Sequence, residues 1–418
     1  MSWLKKNRWA RNIFMFLAVL GPGIITANVD NDAGGITTYS VAGASFGYKM
    51  LWMFIPMTLA LIVVQEMSAR MGAVTGKGLA DLIRERYGVK ITLFVMLGLL
   101  YANMGTIVSE FAGVAASMEL FGVSKYVSVP LGALLVWWIV VKGSYRMVER
   151  VFLVAALLFF GYIFSGFMAN PPWGEVIKAT VTPSFSARGD YLAVLIGVIG
   201  TTITPWMQFY IQSSVVEKGI TVETFKYSRW DVIVGCLMTD IIALFIVVAC
   251  AATIFPKGMH IATAQDAAMA LAPLAGQWAS VIFAFGLLNA SLFAASILPL
   301  STSYYICEAF GIEAGIDKTW QEAQVFYWLY TFLIIAGAAI ILIPGIPLIK
   351  VMLWSQVING MLLPFVLIFI LQLINNKDLM GEYVNSTLFN IIAWATSIVV
   401  IILTVMLISI TLFPGLVG

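Results

Sequence analysis

One histidine, His260, is all the imidazole this 418-residue chain possesses. A protein that moves protons near neutral pH usually relies on histidine or on clustered carboxylates, so histidine is left almost no part here. A histidine-bound catalytic zinc is excluded on the same ground. Cysteine is scarce too: Cys236, Cys250 and Cys307 lie in apolar segments with neither metal-ligand spacing nor a disulfide pattern. Charge is the third shortage. Charged residues make up 11% of the chain, and no run of Lys or Arg suggests an arm for nucleic acid. HExxH is absent and no paired catalytic constellation appears, so no enzyme class is indicated.

What is abundant is apolar sequence, 61% of residues, with a mean hydropathy of +0.96. Soluble domains carry roughly 25% charge, so this composition belongs to a polytopic membrane protein. Apolar stretches able to cross a roughly 30 Å hydrocarbon core run over 13–45, 48–67, 91–122, 126–142, 149–169, 192–216, 231–255, 276–308, 323–344, 347–374 and 386–413. That is eleven spans in one transmembrane domain covering 1–418. With the N-terminus cytoplasmic (Lys5, Lys6, Arg8, Arg11), seventeen of the 23 basic residues fall on the cytoplasmic side, in accord with the positive-inside rule. The expected location is a prokaryotic plasma membrane, crossed many times.

Two places break the apolar pattern. "NVDNDAGGITTYS" puts Asp30, Asn31, Asp32, Gly34 and Gly35 between apolar runs. Locally this reads as a surface turn. Length argues otherwise: Ile13 to Val29 is seventeen residues, about 25 Å of helix, and one crossing out and one back must fit before Arg70. A break within the first span, near 30–35, satisfies both. Irregular backbone at membrane depth survives only where protein buries it or where it lines a cavity, and discontinuous helices at matching positions point to a transporter's midplane site. The matching position is five spans later. There "GTTITPWMQFYIQSS" carries Thr201, Thr204, Pro205 and Trp206, and Pro205 frees a carbonyl upstream. The sixth span is expected to break near 201–206.

Longer motifs point to a family. "VVQEMSARMGAVTGKGLADLIRERYG", "SEFAGVAASMELFG", "GLLNASLFAASILPLSTSYYICEAFG" and "LWSQVINGMLLPFVLIFILQLINNKDLMG" resemble segments of the NRAMP divalent-metal transporters, and most closely the NRAMP-related magnesium transporter branch. The resemblance covers roughly residues 15–410. It implies an all-α, LeuT-type fold of two inverted five-helix repeats with an eleventh helix, and a metal site at the two breaks. The family's Asp-Pro-Gly-Asn aligns with Asp32-Ala33-Gly34-Gly35, so the acid stays while the asparagine becomes Gly35. The sixth-span alanine carbonyl ligand falls at Thr201 and the methionine at Thr204. The histidine after the proline is replaced, the second histidine falls at Gln212, and the third-span aspartate falls at Ile107. No arginine follows Arg229, so the family's ninth-helix arginine is missing as well.

A thioether favours later transition metals, whereas carboxylate, hydroxyl, carbonyl and water suit Mg²⁺ and Mn²⁺. The expected site is Asp32, Gly35, Thr201 and Thr204, with Gln356 of the tenth span reaching the ion in an inward-open state. Asp30 has two readings, a second carboxylate near the ion or a helix cap. Asp240 also has two, a contact to a hydrated ion or a hydrogen-bonded structural acid. Glu110 is read as a brace between helices and Trp206 as cavity wall or core. The expected function is alternating-access import of partly hydrated Mg²⁺, and Mn²⁺, by a monomer without proton coupling. The cation is cargo, and no cofactor is implied. The alternative is proton-coupled Mn²⁺ or Fe²⁺ transport. A sodium-coupled amino-acid carrier is disfavoured, because Asp32 would repel the substrate carboxylate.

Overall fold

The apolar spans become helices because a bilayer leaves backbone amides no other partner. In a computed structural model, residues 29–142, 160–316 and 318–413 are described. The basic N-terminus, Gly21-Pro22-Gly23 and the start of the fifth span lie outside them. The principal helices are α1 (Ala33–Phe46), α2 (Phe54–Thr75), α3 (Leu79–Glu119), α4 (Lys125–Val141), α5 (Phe160–Met168) and α6 (Gly189–Thr202). They continue as α7 (Pro205–Glu217), α8 (Phe225–Thr253), α9 (Ala279–Phe310), α10 (Gln324–Leu342), α11 (Leu348–Ile374) and α12 (Thr387–Leu412). Among the described residues, eight helical segments are long and apolar enough to cross a membrane, with α4 a shorter apolar helix.

Two features differ from the sequence reading. The third helix starts at Leu79, not near residue 91, because the charged stretch before it is itself helical. Gly88, at φ +80°, kinks the chain between that piece, with its Asp81–Arg84 ion pair (3.0 Å), and the apolar remainder. The connections from α5 to α6 and from α8 to α9 are partly helical as well. They hold short helices at Trp173–Val181 and Ala264–Ala268, the second closed by reciprocal bonds between Thr263 and Asp266.

Packing divides the helices into two groups. One comprises α1, α2, α6, α7 and α8, with α1 on α8 and α7 on α2 as its main contacts. The other is built on the long α3–α9 contact, flanked by α4 and α10. α11 touches both groups, lying along α3 on one side and α6 on the other. Lipid tails give helices no hydrophobic reason to associate, so contact depends on close packing, for which small residues are suited. At the α6–α11 crossing, a Cβ on Gly200 would run into the Gln356 carbonyl and the backbone of Gly360. α12 packs loosely and presents Leu388, Ile391, Trp394 and Ile402 outward, as a lipid-facing helix should.

The crossing yields a stability test. Gly200→Ala should cost about 1–3 kcal/mol through overpacking and lower the melting temperature in detergent. Gly174→Ala, whose Cβ would meet nothing within 4 Å, should leave it unchanged.

Candidate functional site

The first break is sharp. Val29 and Asp30 are helical, Asn31 turns, and Asp32 is extended at φ −70°, ψ −177° as the N-cap of α1. Asp32 Oδ1 accepts the Gly35 N–H at 2.6 Å, and the Ala33 N–H donates to Glu110 Oε2 of α3 at 3.2 Å. Two amides that the new helix would leave orphaned are thereby satisfied, and the positive helix end faces two carboxylates. The cap is therefore Asp32; the reading of Asp30 as the cap is set aside.

The second break lies opposite. α6 stops at Thr202, Thr204 is extended (φ −70°, ψ 139°), and Pro205 opens α7 at the position where proline costs least. Because Pro205 has no N–H, the Thr201 carbonyl has no helical partner. Tyr39 of α1 shares a 2.7 Å hydrogen bond with Thr202 Oγ1 and ties the two broken spans together.

Gly35 is where the spans meet. A Cβ there would collide with the Asp30 carbonyl, stand 3.1 Å from Thr201 Oγ1 and 3.4 Å from Asp32 Oδ1. Three oxygens thus ring the space an asparagine side chain would occupy. Thr201 Oγ1 and Thr204 Oγ1 are buried and have no hydrogen-bond partner among the described residues. Gln356 fills the place beside Gly34, with Nε2 3.5 Å from Asp32 Oδ1. Its Oε1 accepts from Asn359, whose amide also reaches Thr106 Oγ1 at 2.9 Å. Asp32, Gly35, Thr201 and Gln356 are therefore brought together, and Thr204 sits at the start of the facing half-helix.

Asp30 and Asp240 lie to one side. Thr58 of α2 donates to Asp240 Oδ2 at 2.5 Å, and Asn31 Nδ2 donates to Thr239 Oγ1 at 2.8 Å. Thr58 and Thr239 were not among the expected residues. Their signal is slight: threonines inside apolar runs usually bond back to their own helix, as Thr58 also does to Phe54. Gln212 bonds the Lys77 carbonyl and Glu66 pairs with Arg70 and Arg229, so both serve helix packing away from Asp32. Ile107 is core against Gly337, and Trp206 is buried with its ring 6.1 Å from Tyr210. No three His, Cys, Asp or Glu residues converge as a metal cluster among the described residues. A cation held at Gly35 would be met by one carboxylate plus hydroxyl and carbonyl oxygens. A cavity of about 400 Å³, lined by Glu119, Lys125, Gln265 and Ile349, involves none of these residues.

Comparison with known proteins agrees in scale. The family described as natural resistance-associated macrophage protein-like (Nramp) matches residues 23–409. The divalent metal cation transporter MntH of Deinococcus radiodurans is 27% identical, with 96% of this chain and 91% of that protein aligned. A manganese transporter of Eremococcus coleocola superposes with a TM-score of 0.74 at 22% identity, over 94% of this chain and 86% of that one. Mhp1, a nucleobase-cation-symport-1 family transporter, superposes at 0.57 with 14% identity, over 93% and 92%. The fold is the LeuT-type all-α architecture.

The α3–α1 contact makes a prediction. Glu110→Leu would orphan the buried Ala33 N–H and should cost about 1–3 kcal/mol, read as reduced thermal stability. Glu110→Gln keeps an acceptor and should retain most of it.

Proposed function

The chain belongs to the Nramp family, and on that premise we propose that it imports Mg²⁺, together with Mn²⁺, as partly hydrated ions by alternating access. The observation that carries this reading is the ring of hard oxygens at Gly35. Thr204 stands where the family places a thioether. Two methionines on the facing helices are already engaged, Met352 Sδ by Thr37 (3.5 Å) and Met207 Sδ by Gln65 (3.9 Å). Mg²⁺ dehydrates reluctantly and is held by one or two carboxylates with several waters kept. Asp32 supplies the charge, Thr201 and Thr204 the hydroxyls, and the carbonyls of Asp30 and Thr201 the neutral donors. A half-turn of the Gln356 amide would present Oε1 to the ion.

The α1–α2–α6–α7–α8 group moves against the α3–α9 scaffold while the ion stays at the breaks. No proton partner is required. At about 2.3 kcal/mol per charge per 100 mV, a divalent cation gains roughly 4.6 kcal/mol on moving inward down 100 mV. The membrane is crossed many times, and the N-terminus is assigned to the cytoplasm on the basic bias alone. One rival is proton-coupled Mn²⁺ or Fe²⁺ transport; a manganese transporter among the structural relatives speaks for manganese as cargo.

Proteoliposomes separate the two. Mg²⁺ and Mn²⁺ uptake should proceed without acidification of the lumen, and Asp32→Ala should abolish both. Thr204→Met should raise the Mn²⁺/Mg²⁺ uptake ratio on the order of tenfold, the equivalent of ~1.4 kcal/mol. Metal-dependent acidification, or Mn²⁺ uptake indifferent to millimolar Mg²⁺, would favour the rival.

A further inference from the structure

We propose that Asp30 and Asp240 form a second station for a divalent cation beside the one at Asp32; this rests on the reading of the chain as a divalent-cation carrier. Among the described residues, two buried carboxylates have no basic partner. Asp30 is 2% exposed; the Thr239 side chain lies beside it, and neither oxygen makes a hydrogen bond of ordinary geometry among the described residues. Asp240, on α8, is 4% exposed; Thr58 holds Oδ2, while Oδ1 has no partner among those residues. None of the ion pairs between described residues includes either acid. The 2.8 Å bond from Asn31 to Thr239 joins the residues next in sequence to each acid and so brings the first break and α8 together at this point.

Neutral oxygens complete the surroundings. Asn31 turns its Nδ2 toward Thr239, which leaves Asn31 Oδ1 buried and unpartnered among the described residues. Two carboxylates, an amide oxygen and the Thr58 hydroxyl therefore come from three elements, the first break, α2 and α8. Burying carboxylates without a counter-charge is costly in a membrane protein, and a cation between them removes that cost. Two carboxylates are enough for a divalent ion that keeps several waters, so the lack of a three-residue His/Cys/Asp/Glu cluster among the described residues is no obstacle.

Asp30 belongs to both stations. Its carbonyl lies against Gly35, and its side chain joins Asp240. An ion arriving at one station would repel the ion at the other, which lets a site bind firmly enough to load and still release.

The test counts ions on the purified full-length protein, with Mn²⁺ as the probe, by equilibrium dialysis and electron paramagnetic resonance. The parent should bind two Mn²⁺ per chain at saturation. Asp30→Asn and Asp240→Asn should each bind one, and so should Asp32→Asn. A parent count of one, or counts unchanged in Asp30→Asn and Asp240→Asn, would overturn the second station. A full count in Asp32→Asn beside a halved count in Asp240→Asn would instead defeat the Asp32 site and leave this proposal standing. Metal-free Asp240→Asn should melt at or above the parent, since a buried charge has gone. Melting well below it would mark Asp240 as a structural anchor and overturn the proposal.

Discussion

A helix can be interrupted within a bilayer only if the amides and carbonyls it frees are answered. The 2.6 Å bond from the Gly35 amide to Asp32 is that answer at the first break. It lets α1 begin in the interior of the protein, and it aims a carboxylate at the spot where α6 ends. Glu110 secures the neighbouring amide from α3, so the break is anchored to the scaffold as well as to itself. The second break is answered differently. Proline removes the donor and leaves an acceptor open, so carbonyl and hydroxyl oxygens collect where the first break gathers negative charge. At the first break the freed donors are met by carboxylates, and at the second the freed acceptors stay open, so both present oxygens. A cation is the species that profits from both.

The packing groups give this site its mechanics. Asp32, Thr201, Asp30 and Asp240 lie on or beside helices of the α1–α2–α6–α7–α8 group, while Glu110 belongs to the scaffold and Gln356 to α11 between them. Motion of one group against the other would change the distances from Glu110 and Gln356 to Asp32 more than those within the group. The Tyr39–Thr202 bond (2.7 Å) would travel with the group and preserve the geometry around Gly35.

Much of this was legible in the residues, for physical reasons. The apolar spans are long and the charges few, so most of the described helices could be placed to within a few residues, the second (Phe54–Thr75 against 48–67) and third excepted. Where they shifted, as at Leu79, an amphipathic stretch at the membrane edge had looked like loop. Both breaks declared themselves through residues that helices tolerate poorly, Asn31, Asp32 and Gly34 in one and Thr204-Pro205 in the other. Partnership was less legible. Periodicity tells which face of a helix a residue occupies, not what stands across from it. The pairing of Thr58 with Asp240, the turn of Asn31 toward Thr239 and the separation of Asp30 from the capping role all depend on tertiary approach. Gln212 shows the same limit from the other side, since an aligned position carried no information that its amide serves the Lys77 carbonyl.

The central claim is that hard oxygens around Gly35 hold the transported ion. A structure of the Mn²⁺-loaded protein, with anomalous scattering collected at the manganese edge, tests it most directly. A peak bound to the Asp32 carboxylate is expected, with Thr201 and Thr204 oxygens around it directly or through water. A peak coordinated by Met207 or Met352 sulfur, or density only away from Asp32, would contradict it.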